Sequence, residues 1–157
     1  MHVDKREKRV MQITVIVLGV AIGALVLSMT ASHKSLPSPA GRIRPEDVRS
    51  TAPFDNPGVR QVGDNEYEVI MIAQAWEWVP NRVEIPAGSH VTFKITSVDV
   101  IHGFRVPDTD LNAMVIPGQI TEVDVDFDEA RDFTLLCHEY CGIGHHRMGA
   151  DIVIVEN

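Results

Sequence analysis

The stretch Cys137-His138-Glu139-Tyr140-Cys141-Gly142-Ile143-Gly144-His145-His146-Arg147-Met148 concentrates the chemistry of this chain. Its twelve residues hold both cysteines, three of the seven histidines and one of the six methionines. Apolar runs flank it. Phe133-Thr134-Leu135-Leu136 leads straight into Cys137, and Ala150-Asp151-Ile152-Val153-Ile154-Val155 follows as a closing strand. The stretch therefore reads as a loop between two strands, and the fold has to hold both of its ends firmly.

Two cysteines four residues apart direct both thiolates at one place if the chain turns between them. His145, four residues beyond Cys141, and Met148, three further on, close around the same place. Thiolate, imidazole and thioether together select copper, because a thioether is a soft ligand that zinc, magnesium and calcium sites rarely use. A blue-copper loop needs one cysteine, one histidine and an axial methionine. With the cysteine doubled, two thiolates can bridge two copper ions, and the second ion needs a histidine from elsewhere. His102 is the candidate, 35 residues before Cys137 and just after the strand-like run Ser97-Val98-Asp99-Val100-Ile101. The competing reading is a disulfide between the two cysteines, common in exported domains. His138 and His146 stand beside the ligand positions and are expected to face away.

Upstream the pattern is one of short apolar runs and turns. Tyr67 to Trp78 is rich in β-forming residues, Val83-Glu84-Ile85 leads to the turn Pro86-Ala87-Gly88, and Val91-Thr92-Phe93-Lys94-Ile95-Thr96 alternates as a half-buried strand does. Ile101 to Val106 supplies another strand, Ala113 to Ile116 precedes the Pro117-Gly118 turn, and Gln119 to Phe127 alternates again. Many short strands with almost no helical periodicity predict an all-β sandwich or barrel.

The N-terminus differs in kind. Met1 to Arg9 is charged and mostly basic, and Val10 to Ala31 carries no charge at all. Those 22 residues reach about 33 Å at ~1.5 Å per residue, enough to cross a hydrocarbon core of ~30 Å. Residues 10–32 are therefore expected to be a single transmembrane helix; a cleaved signal peptide is the alternative, although its apolar core would be shorter. Lys5, Arg6, Lys8 and Arg9 before the helix predict residues 1–9 in the cytoplasm and the rest outside, across a plasma membrane. Residues 33–63, with prolines at 37, 39, 45, 53 and 57, are expected to be an extended linker without a core of its own, and residues 64–157 to be the β domain. The net charge of -8 divides into +2 for residues 1–33 and -10 for the remainder. An acidic domain argues against nucleic acid as a partner and for a basic one.

Taken together, His102 and the loop resemble the binuclear CuA site of cytochrome c oxidase subunit II. The chain length and single hydrophobic segment are most similar to the B-family of haem-copper oxygen reductases. Residue by residue, the resemblance implies His102, Cys137, Cys141, His145 and Met148 as side-chain ligands of two copper ions, with Glu139 contributing its backbone carbonyl. It implies a cupredoxin-like Greek-key sandwich and a subunit that takes electrons from cytochrome c or a small copper protein. The electrons would pass to haem in subunit I, where oxygen is reduced to water with proton translocation. It implies Trp76 as the place where electrons arrive and Glu7 near the mouth of a proton pathway. In other oxidases a glutamate at the Glu139 position also binds magnesium, but Met114 replaces the companion acid here, so no magnesium role carries over. Asp99, Asp108, Asp110, Asp124, Asp126, Asp128 and Glu129 are expected to form an acidic face for a basic donor. Trp76 and Trp78, two apart on one expected strand, should face one side. Three other readings stay open: the CuA subunit of a nitric oxide or nitrous oxide reductase, a membrane-anchored copper carrier, and a disulfide-closed scaffold.

Overall fold

The computed structural model describes residues 4–31 and 39–156, in two compact units, Met1–Pro37 and Ser38–Asn157. In the first, helix α1 spans Lys5–Ala31 and is long and apolar enough to cross a membrane. It begins at Lys5 and not at Val10, because a reciprocal cap winds the charged turn. Asp4 accepts the Arg6 N–H at 2.8 Å, and Glu7 accepts the Asp4 N–H at 3.1 Å. Two of the amides that a helix start leaves unpaired are thereby satisfied. Residue 32, the expected last residue of the span, lies outside the described residues, as do residues 33–38 of the expected linker.

The second unit is a sandwich of two sheets. Strands β1 (Gly41–Arg42), β2 (Gly58–Gly63), β3 (Glu66–Gln74), β4 (Glu77–Val79), β6 (Ser89–Ser97) and β9 (Gln119–Phe127) form one sheet, ordered β1-β9-β6-β3-β2 with β4 beside β3. Strands β5 (Arg82–Pro86), β7 (His102–Arg105), β8 (Asn112–Val115), β10 (Asp132–Cys137) and β11 (Gly149–Val155) form the other, ordered β5-β11-β10-β7-β8. Two pairings are parallel, β3 with β6 and β5 with β11, so the chain crosses between sheets and does not merely meander. Alternation explains the packing. In β6, Val91, Phe93 and Ile95 face the inter-sheet core with Phe104, Leu135 and Ile152, while Thr92 and Lys94 face outward, Lys94 held by Glu68 at 2.5 Å.

Strand β3 breaks that alternation. Val69, Met71 and Ala73 belong to the inter-sheet core, and Ile70 and Ile72 on the opposite face are equally buried, in a second cluster with Ile43, Val48 and Phe54. The cover comes from residues 39–57, which corrects the expectation of a coreless linker: they supply β1, a 3-10 turn at Pro45–Ser50, and Phe54, which is only 1 % exposed. Prolines suit this segment because most of its backbone pairs with nothing in a sheet. Its apolar side chains nevertheless gain on the order of 1.5–3 kcal/mol each by burial.

The run from Tyr67 to Trp78 is likewise two strands and not one. The chain reverses at Ala75 and Trp76, so Ala73 pairs with Trp78 and Gln74 with Glu77. The tryptophans therefore part company. Trp78 is buried edge-on against Phe104 with ring centres 5.7 Å apart, whereas Trp76 sits in the turn and is 42 % exposed.

Candidate metal centre

Strands β10 and β11 pair antiparallel up to Leu136 and Gly149, and the Cys137 N–H donates to the Met148 carbonyl at 3.1 Å, so the loop from 138 to 147 is closed at its base. Inside it a 3-10 turn, His145–Arg147, brings His145 and Met148 back toward the cysteines; Met148 N–H bonds to the His145 carbonyl at 3.1 Å. His102 opens β7, whose Phe104 pairs with Cys137 across the sheet. One strand start and one strand-to-strand loop thus face each other at the same end of the sandwich.

The donor atoms converge there. The two Sγ atoms lie 3.8 Å apart and both cysteines are free, so the disulfide reading does not hold. Cys137 Sγ is 3.9 Å from His102 Nδ1 and 3.3 Å from the Glu139 carbonyl oxygen. Cys141 Sγ is 3.5 Å from His145 Nδ1 and 3.6 Å from Met148 Sδ. His102, Cys137 and Cys141 alone bring three ligand atoms within 4.8 Å of one another, all on buried residues. The structure thereby gathers every residue that the sequence proposes as a ligand. His138 turns instead onto Gly103, and His146 is exposed.

Close approach sets the backbone around the site. A Cβ on Gly103 would lie 2.6 Å from the His138 ring, and one on Gly144 would lie 2.4 Å from the Trp76 indole. Trp76 covers the loop and donates its Nε1–H to the Cys141 carbonyl at 2.9 Å. On the far side of His102, Nε2 is 2.9 Å from Asp99 Oδ1, which leaves Nδ1 to point at the sulfurs.

The electrostatics suit soft, thiolate-based binding. Burial, reinforced by the neighbouring Cys137, pushes the Cys141 thiol up to about 12, so a cation is needed to hold it as thiolate. Burial also opposes charge on Asp99, but bonds from His102, Val100 and Ala75 outweigh it and hold its carboxyl below the ordinary value. A donor set of two thiolates, two imidazoles, a thioether and a carbonyl fits copper and does not fit a hard cation.

Asp99 was expected on an acidic face, and that expectation is corrected. Asp108, Asp110, Asp124, Asp126, Asp128 and Glu129 do line one groove, but Asp99 is not among its residues. It was legible as a partner of His102 only through its position three residues earlier.

The family model for the periplasmic domain of cytochrome c oxidase subunit II matches residues 66–156. Cytochrome c oxidase subunit 2 of Thermus thermophilus is 40% identical over 138 residues, covering 85% of this chain and 82% of that one. The alternative cytochrome c oxidase subunit 2 of Bradyrhizobium diazoefficiens is 28% identical over 119 residues, 76% of this chain and 41% of that protein. Among solved structures, a chain of a haem-copper terminal oxidase dimer superposes with a TM-score of 0.75 at 28% identity, covering 96% of this chain and all 100% of its own. The periplasmic domain of subunit II of cytochrome oxidase from Bradyrhizobium japonicum shares the sandwich, with a TM-score of 0.54 at 22% identity over 57% of this chain and 84% of that one. The sandwich, the converging sulfur and imidazole donors and these matches agree: the chain belongs to the cytochrome c oxidase subunit II family.

Proposed function

We propose that this chain accepts electrons for a haem-copper terminal oxidase through a pair of copper ions bridged by Cys137 and Cys141. His102 and the Glu139 carbonyl beside Cys137, and His145 and Met148 beside Cys141, would complete the donor set, and the sandwich holds them all. The observation that carries the reading is the convergence of two free sulfurs, 3.8 Å apart, with an imidazole beside each. Bound copper supplies a one-electron acceptor whose charge is shared between two ions. The protein supplies rigidity: the ligands hang from β7, β10 and a loop closed at its base, so they move little when the charge changes.

The donor is cytochrome c or a small copper protein, and the acceptor is haem in a partner subunit I that reduces oxygen to water with proton translocation. Trp76 receives the electron: its indole is part exposed and reaches Cys141 through one hydrogen bond. The basic residues before α1 favour a cytoplasmic N-terminus, with the copper domain on the outer side of the plasma membrane. Glu7, besides capping α1, would lie at that inner face near the mouth of a proton pathway. The relatives are oxidase subunits, so a nitrogen-oxide reductase subunit or a copper carrier is not favoured.

The test uses the full chain in detergent, loaded with copper and followed by electron paramagnetic resonance and metal analysis. About two copper ions per chain and a signal from one electron shared between them are expected. One tightly bound copper per chain with an ordinary single-ion signal sinks the proposal.

A further inference from the structure

A single carboxylate outside the donor set joins the His102 segment to the turn that covers the ligand loop. Asp99 Oδ1 lies 2.9 Å from His102 Nε2 and accepts the Val100 N–H at 2.6 Å, while Oδ2 accepts the Ala75 N–H at 2.6 Å. The Ser97 hydroxyl completes its contacts at 3.2 Å. Ala75 begins the turn whose next residue, Trp76, bonds to the Cys141 carbonyl. Asp99 thus joins the His102 segment to the Trp76 turn, and Trp76 joins that turn to the 137–148 loop.

The two histidines of the site are not equivalent. His102 is fully buried, 6.2 Å from the Trp78 ring, and has a carboxylate on its outer nitrogen. His145 is partly exposed and rests edge-on against Tyr140 at 5.8 Å; among the described residues it forms no ion pair with a carboxylate. A carboxylate accepting from the outer N–H of a coordinating imidazole fixes its tautomer and makes it a stronger donor. The effect is larger where water is excluded.

We infer that Asp99 is a positioning residue that makes the two histidine ends of the copper pair electronically unequal, while locking the Trp76 turn to the His102 segment. This rests on the copper-pair reading above. The stronger donor at the His102 end stabilises the oxidised state, lowers the reduction potential and draws unpaired spin toward His102 relative to His145.

The test is Asp99→Asn in the full copper-loaded chain, which removes the charge and keeps the shape. Reduction potential and hyperfine-shifted imidazole proton resonances are read. The potential is expected to rise, the His102 resonances to shift more than those of His145, and the His102 Nε2–H to exchange faster with solvent. Asp124→Asn, an equal loss of charge in the acidic groove, is expected to change none of these. An inert Asp99→Asn, equal shifts at both histidines, or the same response from Asp124→Asn overturns the inference while leaving the copper pair intact. Should Asp99→Asn fail to fold, the unaltered protein decides: equal spin at the two histidines, or more at His145, overturns it as well. Absence of the shared-electron signal from the unaltered protein removes the copper-pair reading and this inference together.

Discussion

Strand β6 has two very different ends. Beyond Ser97, the side chains form a buried cluster of soft donors in which most neighbours are in contact: Asp99 with His102, Trp76 with Gly144, His138 with Gly103. Toward Ser89, where His90 pairs with Asp126 and Thr92 with Asp124, the sheet opens into a groove of about 570 Å³ lined by carboxylates. The strand is nine residues long, so its ends lie roughly 26 Å apart at ~3.3 Å per step. The sandwich therefore carries a site intolerant of small displacements at one end and, at the other, a solvated surface that tolerates change. The metal-proximal surface is not the acidic one: Trp76, Val100, Ile101, Tyr140 and Ile143 are exposed there.

Substitutions can break or sharpen this contrast. The largest effect belongs to Cys137→Ser, which should abolish the copper signal and electron acceptance outright; metal analysis together with electron paramagnetic resonance checks it. Phe54→Ala next tests whether residues 39–57 are part of the fold. Emptying that buried site should cost about 3–5 kcal/mol in denaturant unfolding, with the copper signal unchanged in the protein that remains folded. Smaller again is Gly103→Ala, whose added methyl meets the His138 ring. It should cost about 1–3 kcal/mol, and His138→Ala in the same chain should recover most of that loss, which a double-mutant cycle measures. The least effect is at the open end. The bond to Asp126 raises the titration midpoint of His90 above its ordinary 6.5. A group raised in this way stabilises below its unfolded midpoint, and that contribution fades as pH rises through the folded one. Histidine NMR should show the raised midpoint, and Asp126→Asn should bring it back down.

Reading the chain forward succeeds where a residue type or an alternation admits one physical meaning. Strand β9 coincides with the alternating run from Gln119 to Phe127, because one of its faces meets the core and the other meets water. The ligand loop is equally legible, since cysteine, histidine and methionine at those spacings have few other uses. Residues 41–63 are not: their prolines suggest an extended tether, and only the structure shows Ile43, Val48 and Phe54 seated on the outer face of β3. The clue lay elsewhere, in Val69-Ile70-Met71-Ile72-Ala73, an unbroken apolar run that needs a cover on both faces. Trp76 and Trp78 mislead because a reversal between strands leaves no mark when both flanks favour β structure. Asp99 reads as surface charge because its distance to His102 Nε2, 2.9 Å, is not visible in a sequence of acids.

The two-sided burial of β3 leaves a question of alignment. A strand apolar on both faces still presents apolar side chains to each face after a slip of one residue, so alternation within it does not fix its position. Its neighbours must do so: β6, which alternates from Ser89 to Ile95 and is matched from Glu66↔His90 to Ala73↔Ser97, and the tight Asp64-Asn65 reversal from β2, with Asn65 at φ 56°. A slip of one position would carry Ala75 about 3.3 Å along the sheet and its N–H out of reach of Asp99. The geometry around His102 is thus indexed, like a vernier, by a hairpin at the far end of the same strand.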